Sequence, residues 1–163
     1  MRIYLPATSS LLHVLLESGS CGVPPLTAFA VTPGLREWYV DDDVEELEYA
    51  AMSEAARASL RLIDADAQAA ARRVVVALDA EAVTVRDDLD RGVVRLDEPV
   101  ALARVAAVHA DTPDAEATVR AAAASVVAAD LGDAEAQDRV DDADGYELAW
   151  YASQEIGQLL ATM

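Results

Sequence analysis

The sequence contains one cysteine, Cys21, and has neither lysine nor asparagine. A lone cysteine cannot form an intramolecular disulfide, and it is too few for a thiolate metal site. Without lysine the phosphate-binding pattern GxxxxGK[ST] cannot occur, and the patterns GxGxxG, GxSxG and HExxH are also absent. We therefore expect no metal and no cofactor, and the sequence favours a protein that is not an enzyme.

Basic residues are scarce as well, because 12 Lys and Arg stand against 30 Asp and Glu, for a net charge of −18. Nucleic acids and anionic membranes attract proteins through Lys and Arg, so we expect neither as a partner. No stretch approaches the roughly 20 apolar residues of a membrane span. The N-terminus also lacks the apolar core of a secretory signal, so we expect a cytoplasmic protein.

The pattern of apolar residues predicts a single α+β domain over 1–163. The length fits one domain, and 53% hydrophobic residues are enough for an ordinary core. The sequence predicts a mixed β-sheet of five to six strands with helices packed against it. Strands are expected at 2–7, 26–31, 73–78, 82–86, 93–96 and 104–110. Helices are expected at 9–17, 33–39, 43–63, 114–129 and 146–161, with 133–144 helical in part.

Two features that suggest metal chemistry are better explained as structural, and we expect both histidines, His13 and His109, to be partly buried. His13 and His109 lie far apart without other ligands beside them, and His109 would share a strand face with Val105 and Ala107. The segment 142–145 is similar to part of a calcium-binding loop, but the first and twelfth ligand positions would be Val140 and Tyr151. We expect this acidic segment to cap the last helix.

The aromatic residues are unevenly distributed, since six of the eight fall in two acidic windows. If 146–161 is helical, Glu147, Tyr151 and Glu155 share one face. Rings beside carboxylates can bind a small polar ligand or a partner's basic side chain. Alternatively, the rings anchor the core and the carboxylates are only solvated. The candidate binding residues are Arg36, Glu37, Trp38, Tyr39, Glu45, Glu48, Tyr49, Glu147, Trp150, Tyr151 and Glu155.

The same windows carry a resemblance to a known family. The residues concerned are RIYLPAT at 2–8, LTAFAVTP at 26–33, LREWY at 35–39, ELEYAA at 46–51, AARASL at 55–60, and ELAWY at 147–151 with Gln154 and Glu155. Over essentially its whole length the chain resembles an actinobacterial family of unknown function. The resemblance implies no activity and no cofactor.

Two functions of different class remain open. The first is an interaction or regulatory module that binds a protein partner, or a second copy of itself, through the aromatic and acidic residues. The second is an enzyme or a binder of a small ligand, because the element order is loosely similar to ADP-ribosyltransferases. In that case Arg2 or Tyr4 and the later Glu98 would act, although the paired-glutamate motif of many such enzymes is missing.

Overall fold

The computed structural model describes residues 1–40 and 42–163, within which it has nine strands and six helices. No helix in these ranges is both long enough and apolar enough to cross a membrane. The strands are β1 (Arg2–Ala7), β2 (Ser20–Cys21), β3 (Leu26–Phe29), β4 (Val74–Asp79), β5 (Val83–Val85), β6 (Val93–Leu96), β7 (Val100–Ala101), β8 (Val105–Ala110) and β9 (Ala149–Tyr151). The helices are α1 (Ser9–Ser18), α2 (Pro33–Trp38), α3 (Val44–Ala65), α4 (Glu116–Asp130), α5 (Ala134–Ala143) and α6 (Ile156–Leu160).

Seven strands form one sheet in the order β5-β6-β3-β1-β4-β8-β9, and β2 pairs with β7 in a separate ribbon. Each neighbouring pair in both sheets is antiparallel. The α+β class is confirmed, whereas the expectation of a mixed sheet of five to six strands is wrong. Alternating strands and helices near the N-terminus suggested parallel neighbours, but α1 and the β2 ribbon return the chain so that β3 runs against β1.

Helices cover both faces of the large sheet, because successive strand residues point to opposite sides. Ile3 and Leu5 of β1 belong to the core formed with α1 and α6, whereas Tyr4 belongs to the core formed with α2 and α3. Ala28 and Phe29 of β3 divide in the same way. This confirms that the segment 26–31 supplies an inner strand covered on both faces.

Three helices make a further layer outside the sheet. One side of α3 packs on the sheet through Leu47, Ala51 and Ala55, and Leu60 and Ile63 join a second core with α4 and α5. Small alanine side chains supply much of that second core, which allows the helices to approach closely. The acidic segment 133–144 is helical as expected in part, and it forms α5.

The prediction of a helix over 146–161 is wrong for much of that range. Residues Ala149–Tyr151 form β9, which pairs antiparallel with β8, and α6 begins only at Ile156. The open edge of β8 offers backbone hydrogen bonds that a local pattern cannot reveal. As a consequence, the acidic segment 142–145 lies at the end of α5 and does not cap the last helix.

The expected placement of the two histidines needs correction. A register shift between Ala77 and Leu78 interrupts the pairing of β4 with β8 and places Val105 in the core on the α1 side. His109 lies opposite Val75, which belongs to the core on the α3 side, so it does not share a face with Val105. His109 is half-buried, as expected, but His13 is exposed.

A buried ion pair joins the start of β4 to the residue after β8. The Arg73 guanidinium donates hydrogen bonds of 2.9 and 2.8 Å to the two carboxylate oxygens of Asp111, and the backbone N–H of Arg73 adds a third of 2.7 Å. The two side chains are 4% and 0% exposed. A further bond of 2.9 Å runs from Arg73 to the carbonyl of Tyr146. The pair therefore holds the chain that enters β9 as well as two central strands.

The neighbouring Arg72 is also buried and ties down the C-terminal end. Its guanidinium donates to the backbone carbonyls of Asp111 at 2.8 Å and Thr162 at 2.9 Å. Desolvating these charges is costly, and the cost is offset only because their donors and acceptors are satisfied.

Replacing Asp111 with alanine leaves the Arg73 charge buried without its carboxylate. We expect Asp111→Ala to lower the free energy of unfolding by about 3–5 kcal/mol, measured by urea denaturation. The control is Asp79→Ala, because Asp79 pairs with Arg2 at 2.8 Å on the surface and should contribute less than about 1 kcal/mol. Similar losses in the two variants would show that burial of the Arg73 pair is not important.

Candidate functional site

Two neighbouring cavities lie along one side of α3 and share three of its residues. The first, of about 380 Å³, is named here the Trp38 cavity, and the second, of about 580 Å³, the Trp150 cavity. Tyr49, Ser53 and Glu54 line both. The two aromatic windows of the sequence therefore meet at α3, although most of the chain separates them.

Three large rings are exposed at these cavities. Trp38 and Trp150 are each 61% exposed and Tyr49 is 56% exposed. Each of these rings lines at least one of the two cavities. Together, Trp38, Tyr49 and Trp150 with the two cavities are called the aromatic surface below.

The helical period of α3 decides which of its carboxylates reach the aromatic surface. The helix begins after Asp43, whose side chain accepts a bond of 3.0 Å from the N–H of Glu45. Residues three or four positions apart share a face, so Glu46 and Ser53 line the Trp38 cavity with Tyr49. The candidate binding residues Glu45 and Glu48 line neither cavity.

The first aromatic window is only partly assembled as predicted. Thr32 caps α2 by accepting a bond of 3.2 Å from the N–H of Leu35, a buried residue, and Trp38 ends the helix. Tyr39 is half-buried against the core on the α3 side and lines the Trp38 cavity. Arg36 instead forms an ion pair of 2.7 Å with Asp42 and lies outside both cavities. Glu37 is exposed and also lies outside them.

The loop 86–92 contributes Asp90 and Arg91 to the Trp38 cavity and is attached to the start of α2. Asp87 accepts hydrogen bonds from the Thr32 hydroxyl at 2.6 Å and from the N–H of Gly34 at 3.0 Å. Gly92 closes the loop with φ of +81°, a left-handed conformation that favours glycine, and a Cβ there would lie 3.2 Å from the carbonyl oxygen of Ala30.

This loop carries Arg91 onto the ring of Trp38. The central guanidinium carbon lies 3.5 Å from the ring centroid, which is a close cation–π contact. Within residues 1–40 and 42–163, no carboxylate lies at ion-pair distance from Arg91. The described contact of this cation is therefore with an aromatic ring and not with a carboxylate.

The second window is built from a strand and a loop, not from a helix. Trp150 lies opposite His109 in the pairing of β9 with β8, and both line the Trp150 cavity. The segment before it, which contributes Tyr146 and Glu147 to the cavity, is held by the Arg73 bond to the carbonyl of Tyr146.

The predicted face of Glu147, Tyr151 and Glu155 does not form, because neighbours in a strand point to opposite sides. Tyr151 packs against the core on the α1 side, away from Trp150. The Glu155 carboxylate accepts a bond of 2.9 Å from the N–H of Ala152 and so caps the turn before α6. Glu147 alone of the three lines the Trp150 cavity.

The charges around the aromatic surface are mostly uncompensated carboxylates. Among the described residues, no arginine pairs with Glu46, Glu54 or Glu147. The two arginines of the Trp150 cavity are engaged elsewhere, since Arg57 bonds to Asp130 and Arg73 to Asp111. The surface therefore offers aromatic rings and unpaired negative charge.

Burial shifts the pKa of two further residues that line the Trp150 cavity, His109 and Asp144. It lowers the pKa of His109, so the imidazole is uncharged at neutral pH. It also raises the pKa of Asp144, and the nearby Arg73 acts in the opposite direction. Neither group adds positive charge to the surface at neutral pH.

Nothing in the described part of the chain is arranged as a metal centre, because no group of three or more His, Cys, Asp or Glu side chains could hold an ion. His13 lines a different cavity of about 600 Å³, together with Ser9 and Arg120. Cys21 is buried, and burial raises the pKa of its thiol.

Several residues of the site escaped the sequence analysis. The spacing of Glu46 and Ser53 from Tyr49 on the predicted helix could have identified them. Arg91 gave no such signal, because contacts of the loop 86–92 with Thr32 and Gly34 decide its position. Arg73 and Asp111 likewise meet only through strand pairing.

A comparison with protein-family models gives a match over nearly the whole chain. The model of a family of unknown function, DUF6912, matches residues 1–160. The chain belongs to this family. Searches of curated proteins and of solved structures find no match. The whole-chain resemblance to a family of unknown function is thus confirmed, and membership of DUF6912 brings no activity.

The residues named for an enzyme do not come together. Arg2 lies at the beginning of β1. Strand β3 pairs with both β1 and β6, and these pairings place Leu96 level with the other end of β1. Glu98 follows Leu96 by two residues. Five residues of strand separate these levels, which is about 17 Å. Tyr4 is buried, and Arg2 pairs with Asp79. The geometry gives no shared site for Arg2 and Glu98.

The loop that carries Arg91 should respond to acid through Asp87. Burial acts to raise the pKa of Asp87, but hydrogen bonds from Thr32, Gly34 and Gly92 outweigh it and hold the pKa below its ordinary value. A carboxyl whose pKa is lowered by folding stabilises the fold above its unfolded pKa of about 3.9. That contribution disappears as the pH falls through the lower pKa of the folded state.

We therefore expect Asp87→Asn to reduce the free energy of unfolding at pH 7 and to flatten its decline below about pH 4. Urea denaturation between pH 7 and pH 3 measures both effects. Asp142→Asn is the control, because Asp142 is also an aspartate and is exposed. If the free energy of unfolding of Asp87→Asn declined at acid pH as steeply as that of the unaltered protein, the stabilising role of Asp87 would be contradicted.

Proposed function

We propose that this protein is an interaction or regulatory module that binds a cationic segment of another protein through the aromatic surface. The observation that carries the proposal is the meeting of both aromatic windows on one side of α3, with Tyr49 and Glu54 shared by the two cavities. The interaction function expected from the sequence thus has a surface on which it can act.

Exposed rings support the proposal because folding alone would bury them. Trp38, Tyr49 and Trp150 each leave more than half of their surface in water. Clustered exposed apolar groups mark interaction sites, and Trp and Tyr dominate the energetics of interfaces. The alternative, in which the rings serve only the core, fits Tyr39 and Tyr151 better than these three residues.

Charge supports a cationic partner. The chain carries −18 overall, and Glu46, Glu54 and Glu147 at the cavities have no arginine partner within the described residues. A field of this sign speeds association with a basic partner and repels a second copy of the chain. We therefore favour a different protein over a second copy of this chain as the partner.

A small cationic ligand is the second candidate. The Trp150 cavity, at about 580 Å³, falls within the usual range for small-molecule sites of roughly 300–1,000 Å³. Its rings and carboxylates would suit an organic cation. Such a ligand would bind at Trp150 alone, whereas a protein segment would extend from Trp150 along α3 toward the Trp38 cavity.

The first test measures binding of a short Gly/Ser peptide that carries both Lys and Arg, by calorimetry. We expect binding that weakens with added salt, because exposed charges are screened. Trp150→Ala should weaken it by roughly 30-fold or more, as for a central interface residue. Leu131→Ala is the control, since Leu131 is 85% exposed but lies outside both cavities.

A second variant tests the charge. Glu54→Gln removes the carboxylate that both cavities share, and we expect a loss of up to about fivefold in affinity, as for an exposed ion pair. Glu17→Gln removes the same charge from an exposed site on α1 and should have a smaller effect. Absence of peptide binding, or equal losses in all the variants, would refute the proposed function.

A further inference from the structure

We propose that the Trp150 cavity binds the guanidinium group of a partner's arginine, and that Arg91 on Trp38 makes the same interaction within the chain. This inference rests on the proposed function and deepens it by naming the side chain that is recognised. It also assigns a role to Arg91, which occupies one face of the Trp38 ring and competes there with other cations.

The contact of Arg91 with Trp38 is an example, within this chain, of a guanidinium bound by an aromatic ring. Its guanidinium carbon lies over the indole ring, 3.5 Å from the ring centroid. Nothing else in the described chain holds this guanidinium, since its side chain makes neither an ion pair nor a hydrogen bond there. Glu46 and Asp90 line the same cavity and supply negative charge.

The Trp150 cavity has the same components without a cation on its ring. Tyr49 and Glu54 are common to both cavities, and Glu147 takes the place of the carboxylate of Glu46. Arg57 lies at the cavity but bonds at 3.2 Å to both Asp130 and Gln137. In the part of the chain that the structure describes, the only cation stacked on a ring is Arg91.

The buried pair explains why Arg73 cannot serve as that cation. Its guanidinium donates three hydrogen bonds, to both oxygens of Asp111 and to the carbonyl of Tyr146, and the side chain is only 4% exposed. The ring of Trp150 therefore remains available to a guanidinium from outside.

The physical properties of the two basic side chains favour arginine over lysine. Guanidinium is planar, more weakly hydrated than ammonium, and able to stack on an aromatic face while its edges donate to carboxylates. An ammonium group is a compact charge that keeps its water more firmly. Trp150 with Glu54 and Glu147 offers the face and the acceptors that guanidinium needs.

The experiment uses the fact that the chain has only two tryptophans. Trp38→Phe leaves Trp150 as the sole tryptophan, and Trp150→Phe leaves Trp38. Each full-length variant is titrated with a Gly/Ser peptide carrying arginines and with its lysine counterpart of equal charge, while tryptophan fluorescence is recorded. Circular dichroism checks that every variant is folded.

We expect the Trp38→Phe protein to report binding through Trp150, with the arginine peptide bound roughly fivefold more tightly than the lysine peptide. In Trp150→Phe, the fluorescence of Trp38 should change little, because Arg91 covers one face of the ring. Adding Arg91→Ala to Trp150→Phe should produce a response to the arginine peptide at Trp38.

The outcomes separate this inference from the proposed function. Equal affinity for the two peptides would overturn the guanidinium assignment and leave the cationic partner standing. Calorimetric binding with a silent Trp150 would overturn the assignment of the cavity. A silent Trp38 after Arg91→Ala would overturn the role of Arg91. If neither peptide binds the unmodified protein, the proposed function fails together with the inference.

Discussion

The buried pair of Arg73 and Asp111 is the interaction on which most of this structure depends. It joins the entrance of β4 to the exit of β8, and through the carbonyl of Tyr146 it also holds the chain that leads into β9. A charge pair with both side chains almost free of solvent is stable only when all its partners are in place. The position of Trp150 is therefore linked to the core of the sheet.

A second polar contact positions the other half of the aromatic surface. Asp87 binds the Thr32 hydroxyl and the N–H of Gly34, and this attaches the loop of Arg91 to the start of α2, which ends at Trp38. Helix α3 lies between the two halves and contributes Tyr49 to both cavities. Rigid elements thus support a surface whose rings are exposed, as recognition of a partner requires.

Both aromatic windows lie at the two cavities, but only some of the predicted residues line them. Trp38, Tyr39, Tyr49, Glu147 and Trp150 line the cavities, whereas Glu45, Glu48 and Tyr151 do not. The errors at Glu147–Glu155 follow from one cause, which is a strand where the apolar spacing suggested a helix. Pairing with β8 overrides the local pattern over Ala149–Tyr151, and this turns Trp150 and Tyr151 to opposite faces.

The sequence by itself determined the α+β class, most of the helices and strands, the acidic charge and the two aromatic windows, because these depend on local spacing and composition. Tertiary structure decided the direction and number of the strands, the conformation of the last segment, and the meeting of the windows at α3. It also decided that Arg91 stacks on Trp38 and that Arg73 is neutralised by Asp111. These features depend on hydrogen bonds and contacts between residues distant in the chain, which no local pattern encodes.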